Sequence, residues 1–317
     1  MGKKMGVYSY RVYGWQVKSE IEIPELIQIP EIVDEEADVI VCLQVMPEDI
    51  RQALSRGQEE YFSKDRIWIQ IENVGIYELT KGKVVAITPV PNVSIETIKQ
   101  YFLGLICLIL CLQKESLGLH GAAIEVEESA ILILGESGSG KSTLTTALRK
   151  QGYRMLSDDF CVLGQNERGN SIVYPAYPQQ KLCRDTMLEM NYNVNEYSII
   201  QEERDKFAVP IGNGFADRPL PIKAIFILSP EACKEVDIEP IRGSYKVTSL
   251  LQHISAFNFT EQLGLPRNYF IKCIQVLKQV PVIKLKRPLE GMTVEKQIKM
   301  IKRILECNID EIQEGVC

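Results

Sequence analysis

Gly135-Glu136-Ser137-Gly138-Ser139-Gly140-Lys141-Ser142 has the spacing G-x-x-x-x-G-K-[ST], and it follows directly on an apolar run at 130–134. The backbone N–H groups of such a loop surround phosphate oxygens. Residues 143–151 then read as a helix, opened by Thr143, whose positive end faces the same point. In this pattern Lys141 reaches the β- and γ-phosphates and the Ser142 hydroxyl sits on Mg²⁺. Sixteen positions after Ser142 come Asp158-Asp159, at the end of a strand-like stretch at 153–156. Adjacent residues of an extended chain point in different directions, so one carboxylate can serve a metal while the other accepts a proton. A serine alcohol is too weakly acidic to ionise at neutral pH, and phosphoryl transfer to it benefits from such a base. Asp-Asp is also ordinary turn vocabulary; its place downstream of this loop is what gives it a catalytic reading.

The usual acid of a phosphate-loop ATPase stands at the end of a later apolar strand. Here the best such strand, 222–228, ends in Ser229-Pro230 and offers no carboxylate. A metal at the site is expected to be a hard ion held through oxygen, because the chain has only two histidines, His120 and His253, and no C-x-x-C pair among its nine cysteines. Those cysteines sit largely inside apolar segments, as reduced thiols of a cytoplasmic protein do. A net charge of −6 without a basic, aromatic-interleaved run argues against nucleic acid as a partner. The N-terminal residues form neither a secretory signal nor a myristoylation site. The one long apolar run, 101–112, is shorter than a membrane span and reads as a buried helix.

The elements that must position these groups follow in chain order. Residues 8–18, 37–45, 66–71, 75–79 and 83–88 read as strands, the last two joined by a tight turn at Lys81-Gly82, and 48–56 reads as a short helix. This makes 1–92 a β-rich N-terminal region. Ser94 is the expected N-cap of a helix running to about 113. Strands at 122–126 and 130–134 bracket a turn and deliver the loop, and Gly152 closes its helix. A hairpin is expected over 160–174. Residues 184–218 read as polar and helical in part, a candidate mobile substrate loop. A buried strand at 222–228, helices at 248–256 and 266–280, an edge strand at 282–285 and a closing amphipathic helix at 293–306 complete an α/β core with a mixed sheet.

His120-Gly121, the apolar strand, the 135–142 loop and Tyr153-Arg154-Met155-Leu156-Ser157-Asp158-Asp159 together resemble the catalytic domain of HPr kinase/phosphorylase, a family related to the phosphoenolpyruvate carboxykinases. The resemblance is close over about 117–164 and extends in outline to 317. In detail the chain looks more like the HPr-kinase-like enzymes of lasso-peptide gene clusters. Tyr13-Gly14-Trp15-Gln16-Val17-Lys18-Ser19-Glu20, Ile23-Pro24-Glu25-Leu26, Tyr174-Pro175-Ala176-Tyr177-Pro178 and Leu220-Pro221-Ile222-Lys223-Ala224-Ile225 carry that likeness. It implies a P-loop HPr-kinase/phosphoenolpyruvate-carboxykinase-like catalytic domain over 93–317. It further implies ATP and Mg²⁺ as cofactors, and transfer to the C-terminal serine of a precursor peptide. Residue by residue, it puts Gly135, Ser137, Gly138, Ser139, Gly140, Lys141, Ser142 and Thr143 on the nucleotide and Ser142 and Asp159 on Mg²⁺. Asp158 becomes the base, and His120 lies near the transferred group, with Arg204 or Lys206 as a transition-state cation. Glu136 stands where the family commonly has Asp, and the glycine-containing signature that follows its aspartate pair is not recognisable.

The expected partner is therefore a precursor peptide or small protein bearing an acceptor serine, with no nucleic acid and no membrane; a homo-oligomer is left open. Two other acceptors, HPr-like proteins and free serine, fit the same chemistry. A different class, an ATP-sensing regulatory protein without transfer activity, predicts nucleotide-dependent conformational change and no phosphorylated product.

Overall fold

The computed structural model describes residues 6–201, 205–255, 263–264 and 266–307; Arg204 lies outside the described residues. The chain divides into two compact units, Met1–Ser116 with Ala256–Tyr269, and Leu117–Ser255 with Phe270–Cys317.

In the first unit, the strands form a mixed sheet in the order Ile27–Gln28, Tyr8–Val12, Trp15–Ser19, Val39–Leu43, Val84–Pro89, Gly75–Thr80, Arg66–Ile71, Glu60–Phe62. The stretch expected as one strand over 8–18 is a hairpin instead. Tyr13 and Gly14 both take positive φ (55° and 80°), the conformation that two-residue turns between twisted strands require. Lys81-Gly82 turns the same way, with φ of 51° and 62°. Ser94 caps the following helix by accepting the Thr97 N–H at 3.0 Å. Helical structure then runs from Ile95 to Gln113 through a π-helical segment, Phe102–Ile106. These are the bounds expected from the Ser94 cap, and by length and composition alone the helix could cross a membrane. However, 56% of its apolar window is buried within the protein, and the Tyr77 hydroxyl donates to the Ile98 carbonyl at 2.8 Å. An apolar helix enclosed in this way belongs to a core.

The second unit is built on Ser129–Leu134, whose residues from Ala130 on are all fully buried. A strand covered on both faces reads as a continuous apolar run, which is why it was recognisable in sequence. It pairs in parallel with Leu220–Glu231, which pairs in parallel with Val282–Pro288. On its other side come Gly121–Val126, antiparallel, and then Met155–Ser157. The strand Leu220–Glu231 has two partners along one edge: its first residues pair with Ser171–Val173 and its later ones with Val282–Pro288. Strands Cys161–Gln165 and Leu117–Leu119 extend the first branch, the 161–165 and 171–173 pair being the expected hairpin.

Two expectations change here. The stretch at 282–285 is not an edge strand, because Asp237–Ile241 pairs along its outer side. The stretch 184–218, expected to be helical in part, does hold the helix Arg184–Glu189, but strands Lys206–Pro210 and Ile199–Gln201 within it join Gln179–Cys183 in a small antiparallel sheet. Cysteines 42, 107, 111, 161, 183, 233 and 273 are free thiols, as expected, but Cys307 is disulfide-bonded.

Candidate active site

The three parallel strands end on one edge of the sheet, and the chemistry-bearing residues gather there. Ser129–Leu134 leads into the glycine loop. The helix Lys141–Lys150 starts two residues earlier than the sequence suggested, so Lys141 and Ser142 occupy its first turn, where backbone N–H groups have no intrahelical acceptor. Met155–Ser157 runs in the same sense and delivers Asp158 and Asp159. The antiparallel Gly121–Val126 begins on this edge, which brings His120 beside them. Gly121 is required for that approach, since a Cβ there would lie 2.4 Å from Leu134 Cδ2 and 2.7 Å from the Ile133 carbonyl oxygen.

A cleft of about 660 Å³ opens over this edge. Ser137, Gly138, Gly140, Lys141, Ser142 and Thr143 form its floor, and His120, Asp159, Cys183 and Lys206 form one wall. Gly135 and Ser139 are buried behind the floor. Lys141 Nζ donates to the Gly135 carbonyl at 2.7 Å and the Glu136 carbonyl at 2.9 Å, so the ammonium is held over its own loop. The Ser139 hydroxyl is buried without a hydrogen-bond partner. A cation seated only on neutral carbonyls beside an unpaired buried hydroxyl is a setting that polyphosphate oxygens would complete. Among the described residues no three His, Cys, Asp or Glu side chains converge on a metal position. The residues present therefore fit Mg²⁺ held by Ser142, phosphate oxygens, water and a cleft carboxylate, as this ion commonly is.

The two aspartates have different surroundings. Asp159 takes a left-handed backbone, φ 66°, within a turn closed by Phe160 N–H donating to the Asp158 carbonyl at 2.7 Å. Such a conformation in a non-glycine residue is sustained only where the surroundings enforce it. Its side chain lies 3.8 Å from Lys181 Nζ, 3.8 Å from Lys206 Nζ and 3.9 Å from His120 Nδ1. Burial raises its pKa, but Lys181, Lys206, His120 and Lys141 outweigh burial and hold it below the ordinary carboxylate value. Asp158 is not part of the cleft wall. Its Oδ2 accepts the Lys181 backbone N–H at 2.8 Å, and burial together with the Asp159 charge pushes its carboxyl up to about 7. Of the two aspartates, Asp159 lines the cleft.

His120 Nδ1 donates to the Asp159 carbonyl at 3.0 Å, which fixes the tautomer and leaves Nε2 with its lone pair. Burial and the nearby Lys141 lower its pKa, so the ring is neutral at pH 7. Its backbone N–H donates to the His253 carbonyl at 2.7 Å.

His253 itself is 8% exposed, and burial, Lys141 and His120 push it down to about 4. A folded-state pKa below the unfolded value of about 6.5 means that stability present above pH 6.5 is lost as pH falls toward 4. The expected loss attributable to this ring is about 2 kcal/mol at pH 5 relative to pH 7.5. Urea unfolding of wild type and His253→Asn at both pH values measures it. Equal pH dependence in the two proteins would show that the ring is not held neutral.

Of the two lysines beside Asp159, Lys206 is one of the cations expected from the sequence and Lys181 is not. They sit on neighbouring strands, and Cys183 pairs with Lys206 in register, so Lys181, Cys183 and Lys206 share one face. Leu182, Phe207 and Val209 fill a core on the other. Gln180, fully buried, fastens this sheet to the loop helix: its Nε2 donates to Thr145 Oγ1 at 2.9 Å and its Oε1 accepts from Arg149 at 2.7 Å. No spacing in the sequence marks these residues, because strand pairing assembles them. Lys206 was one of two cations considered; the other, Arg204, is outside the described residues. Arg287, at the end of Val282–Pro288, was missed altogether. Its Nε donates to the Ser139 carbonyl at 2.8 Å.

No family model matches the chain. Over 43 residues it is 44% identical to the HPr kinase/phosphorylase of Lachnoclostridium phytofermentans, which is 14% of each chain. Over 41 residues it is 46% identical to the HPr kinase/phosphorylases of Xanthomonas campestris pv. campestris and Xylella fastidiosa, 13% of each chain. The match thus spans 14% or less of the length of each of these curated relatives. Among solved structures, the HPr(Ser) kinase/phosphatase from Coxiella burnetii aligns with 60% of this chain and 97% of its own, at a TM-score of 0.33 and 14% identity. Over those short stretches the chain is similar to HPr kinase/phosphorylases.

Proposed function

We propose that the second unit is an ATP-dependent kinase that transfers the γ-phosphoryl group to a serine hydroxyl on a peptide or small protein. One observation carries this reading: a glycine loop with its lysine shares a cleft with Asp159, an ionised carboxylate ringed by Lys181, Lys206 and His120. A phosphate-binding loop alone suits many reactions. A carboxylate in the same cleft adds the proton acceptor that an alcohol needs, and reach is judged before pKa in choosing it. Asp159 therefore takes that role in this reading, and Asp158 supports the turn through its bond to the Lys181 N–H.

In the proposed step the serine oxygen bonds to the γ-phosphorus as the bond to the β,γ-bridging oxygen breaks. ADP leaves, and the hydroxyl proton passes to Asp159. Lys141 exchanges its loop carbonyls for β- and γ-phosphate oxygens. Lys181 and Lys206 keep Asp159 ionised, and Lys206, which lines the cleft, faces the charge of the transferring group. Bound Mg²⁺ would neutralise phosphate charge, with Ser142 as its hydroxyl ligand.

The likeness of 13–26 and 174–178 to the lasso-cluster enzymes supports a precursor peptide with a C-terminal serine as the acceptor, whereas the name of the curated relatives supports HPr. The test is labelled ATP with four acceptors: a peptide ending in serine, the same peptide ending in alanine, HPr, and free serine. Transfer to the first alone supports the peptide reading. Transfer to HPr or to free serine keeps the kinase and moves the acceptor. No transfer to any of them at high enzyme concentration, with nucleotide bound, overturns the kinase in favour of an ATP sensor.

A further inference from the structure

We propose that the nucleoside of the bound nucleotide lies between Arg287 and Gln297, with Gln297 recognising the amino group of adenine. This rests on the reading of the cleft as an ATP site. Sheet order places the two ends of the cleft. Asp159 and His120 come from strands on one side of Ser129–Leu134, and Val282–Pro288 lies two strands away on the other side, ending on the same edge. With phosphates on the loop and the acceptor at Asp159, the nucleoside extends toward Arg287. Ligands of parallel sheets lie across such strand ends.

Four features of that end suit a purine nucleoside. Arg287 is fastened to the loop through neutral groups only, Nε to the Ser139 carbonyl at 2.8 Å and Nη1 to the Pro288 carbonyl at 2.8 Å. Lys286, one residue before it, pairs with Glu239 at 2.6 Å, and Lys284 pairs with Glu231. Arg287 has no carboxylate partner among the described residues, and a planar cation left in this state stacks readily on a base or meets a phosphate. Leu289 and Met292 line the cleft yet are 62% and 64% exposed, two large apolar side chains in position to cover a ring. Gln297 also lines the cleft and is only 5% exposed. Its Nε2 donates to Thr293 Oγ1 at 2.9 Å, while its Oε1 has no partner. A buried acceptor without a donor is unfavourable, and the exocyclic amino group of adenine is a donor. Guanine carries a carbonyl at that position, which would set acceptor against acceptor.

The test uses the full chain and titrates ATP, GTP and inorganic tripolyphosphate by calorimetry. Wild type is expected to bind ATP about tenfold or more tightly than either of the others. The double variant Leu289→Ser with Met292→Ser, which changes exposed side chains only, is expected to lose about fivefold or more in ATP affinity with tripolyphosphate affinity unchanged. Gln297→Leu is expected to bring ATP and GTP within about twofold of each other. Equal binding of ATP and tripolyphosphate by wild type, or unchanged ATP affinity in the double variant, overturns the subsite. An unchanged ATP-to-GTP ratio in Gln297→Leu overturns the adenine contact. If wild type binds neither ATP nor tripolyphosphate, the kinase reading itself falls, so the tripolyphosphate arm separates the two failures.

Discussion

Asp159→Asn is expected to slow phosphoryl transfer by about a hundred- to ten-thousandfold, the range that positioned proton acceptors contribute. The substitution keeps the shape of the side chain and the turn. It removes the carboxylate charge that lies 3.8 Å from both Lys181 Nζ and Lys206 Nζ. ATP affinity should hold or rise, because removing a negative charge beside the phosphate site relieves repulsion. The informative comparison is Asp158→Asn. Asp158 accepts the Lys181 N–H and is not part of the cleft wall, so its effect on transfer should be at least about tenfold smaller. Single-turnover transfer and nucleotide titration on both variants decide the matter. If Asp158→Asn proves the more damaging of the two, the roles given to the pair are reversed. A shift in the Mg²⁺ dependence of ATP binding in Asp159→Asn would instead mark Asp159 chiefly as a metal ligand.

Gly135→Ala is the second large effect. Gly135 has φ 151°, and a Cβ there would lie 2.7 Å from Ser139 Oγ and 2.8 Å from the Leu228 carbonyl oxygen. Ser139 could rotate, but the carbonyl belongs to the central strand Leu220–Glu231, paired on both edges, and cannot yield cheaply. The expected result is a destabilisation of about 1–3 kcal/mol together with loss of most nucleotide affinity, because the loop must lift from the sheet to make room. Urea unfolding and tripolyphosphate titration read the two parts separately. A variant with wild-type stability and wild-type affinity would mean that the loop is not seated on Leu228.

The glycine loop, the aspartate pair and His120 were legible because each lies at the end of a strand whose own sequence announces it. The fully buried Ser129–Leu134 reads as an unbroken apolar run, and the groups it positions follow within a few residues. Legibility failed where chemistry is assembled by pairing. Gln179–Cys183 alternates a buried glutamine and leucine with a lysine, which resembles a loop until the buried Gln180 is seen to be satisfied by Thr145 and Arg149. The stretch at 282–285 reads as an edge strand, but it is part of Val282–Pro288, which is paired on both sides. Its two lysines, Lys284 and Lys286, are matched by Glu231 and Glu239 on adjoining strands, which is how a charged strand can be enclosed. Which aspartate lines the cleft depends on the left-handed turn at Asp159; either member of an Asp-Asp pair tolerates that conformation, so residue type does not choose between them.

The pairing pattern of Leu220–Glu231 also bears on the order in which the molecule can form. In the first unit the strands between Arg66 and Pro89 pair with their immediate neighbours through short turns, so they can close as soon as they are synthesised. The phosphate loop has no such independence. Ala130 meets Ile222, and Ile225 meets Val282, so the floor of the cleft gains its second and third walls only when distant parts of the chain arrive. Nucleotide binding should accordingly be among the last properties a nascent chain acquires, and ATP, once bound, would hold together the contacts that formed most slowly.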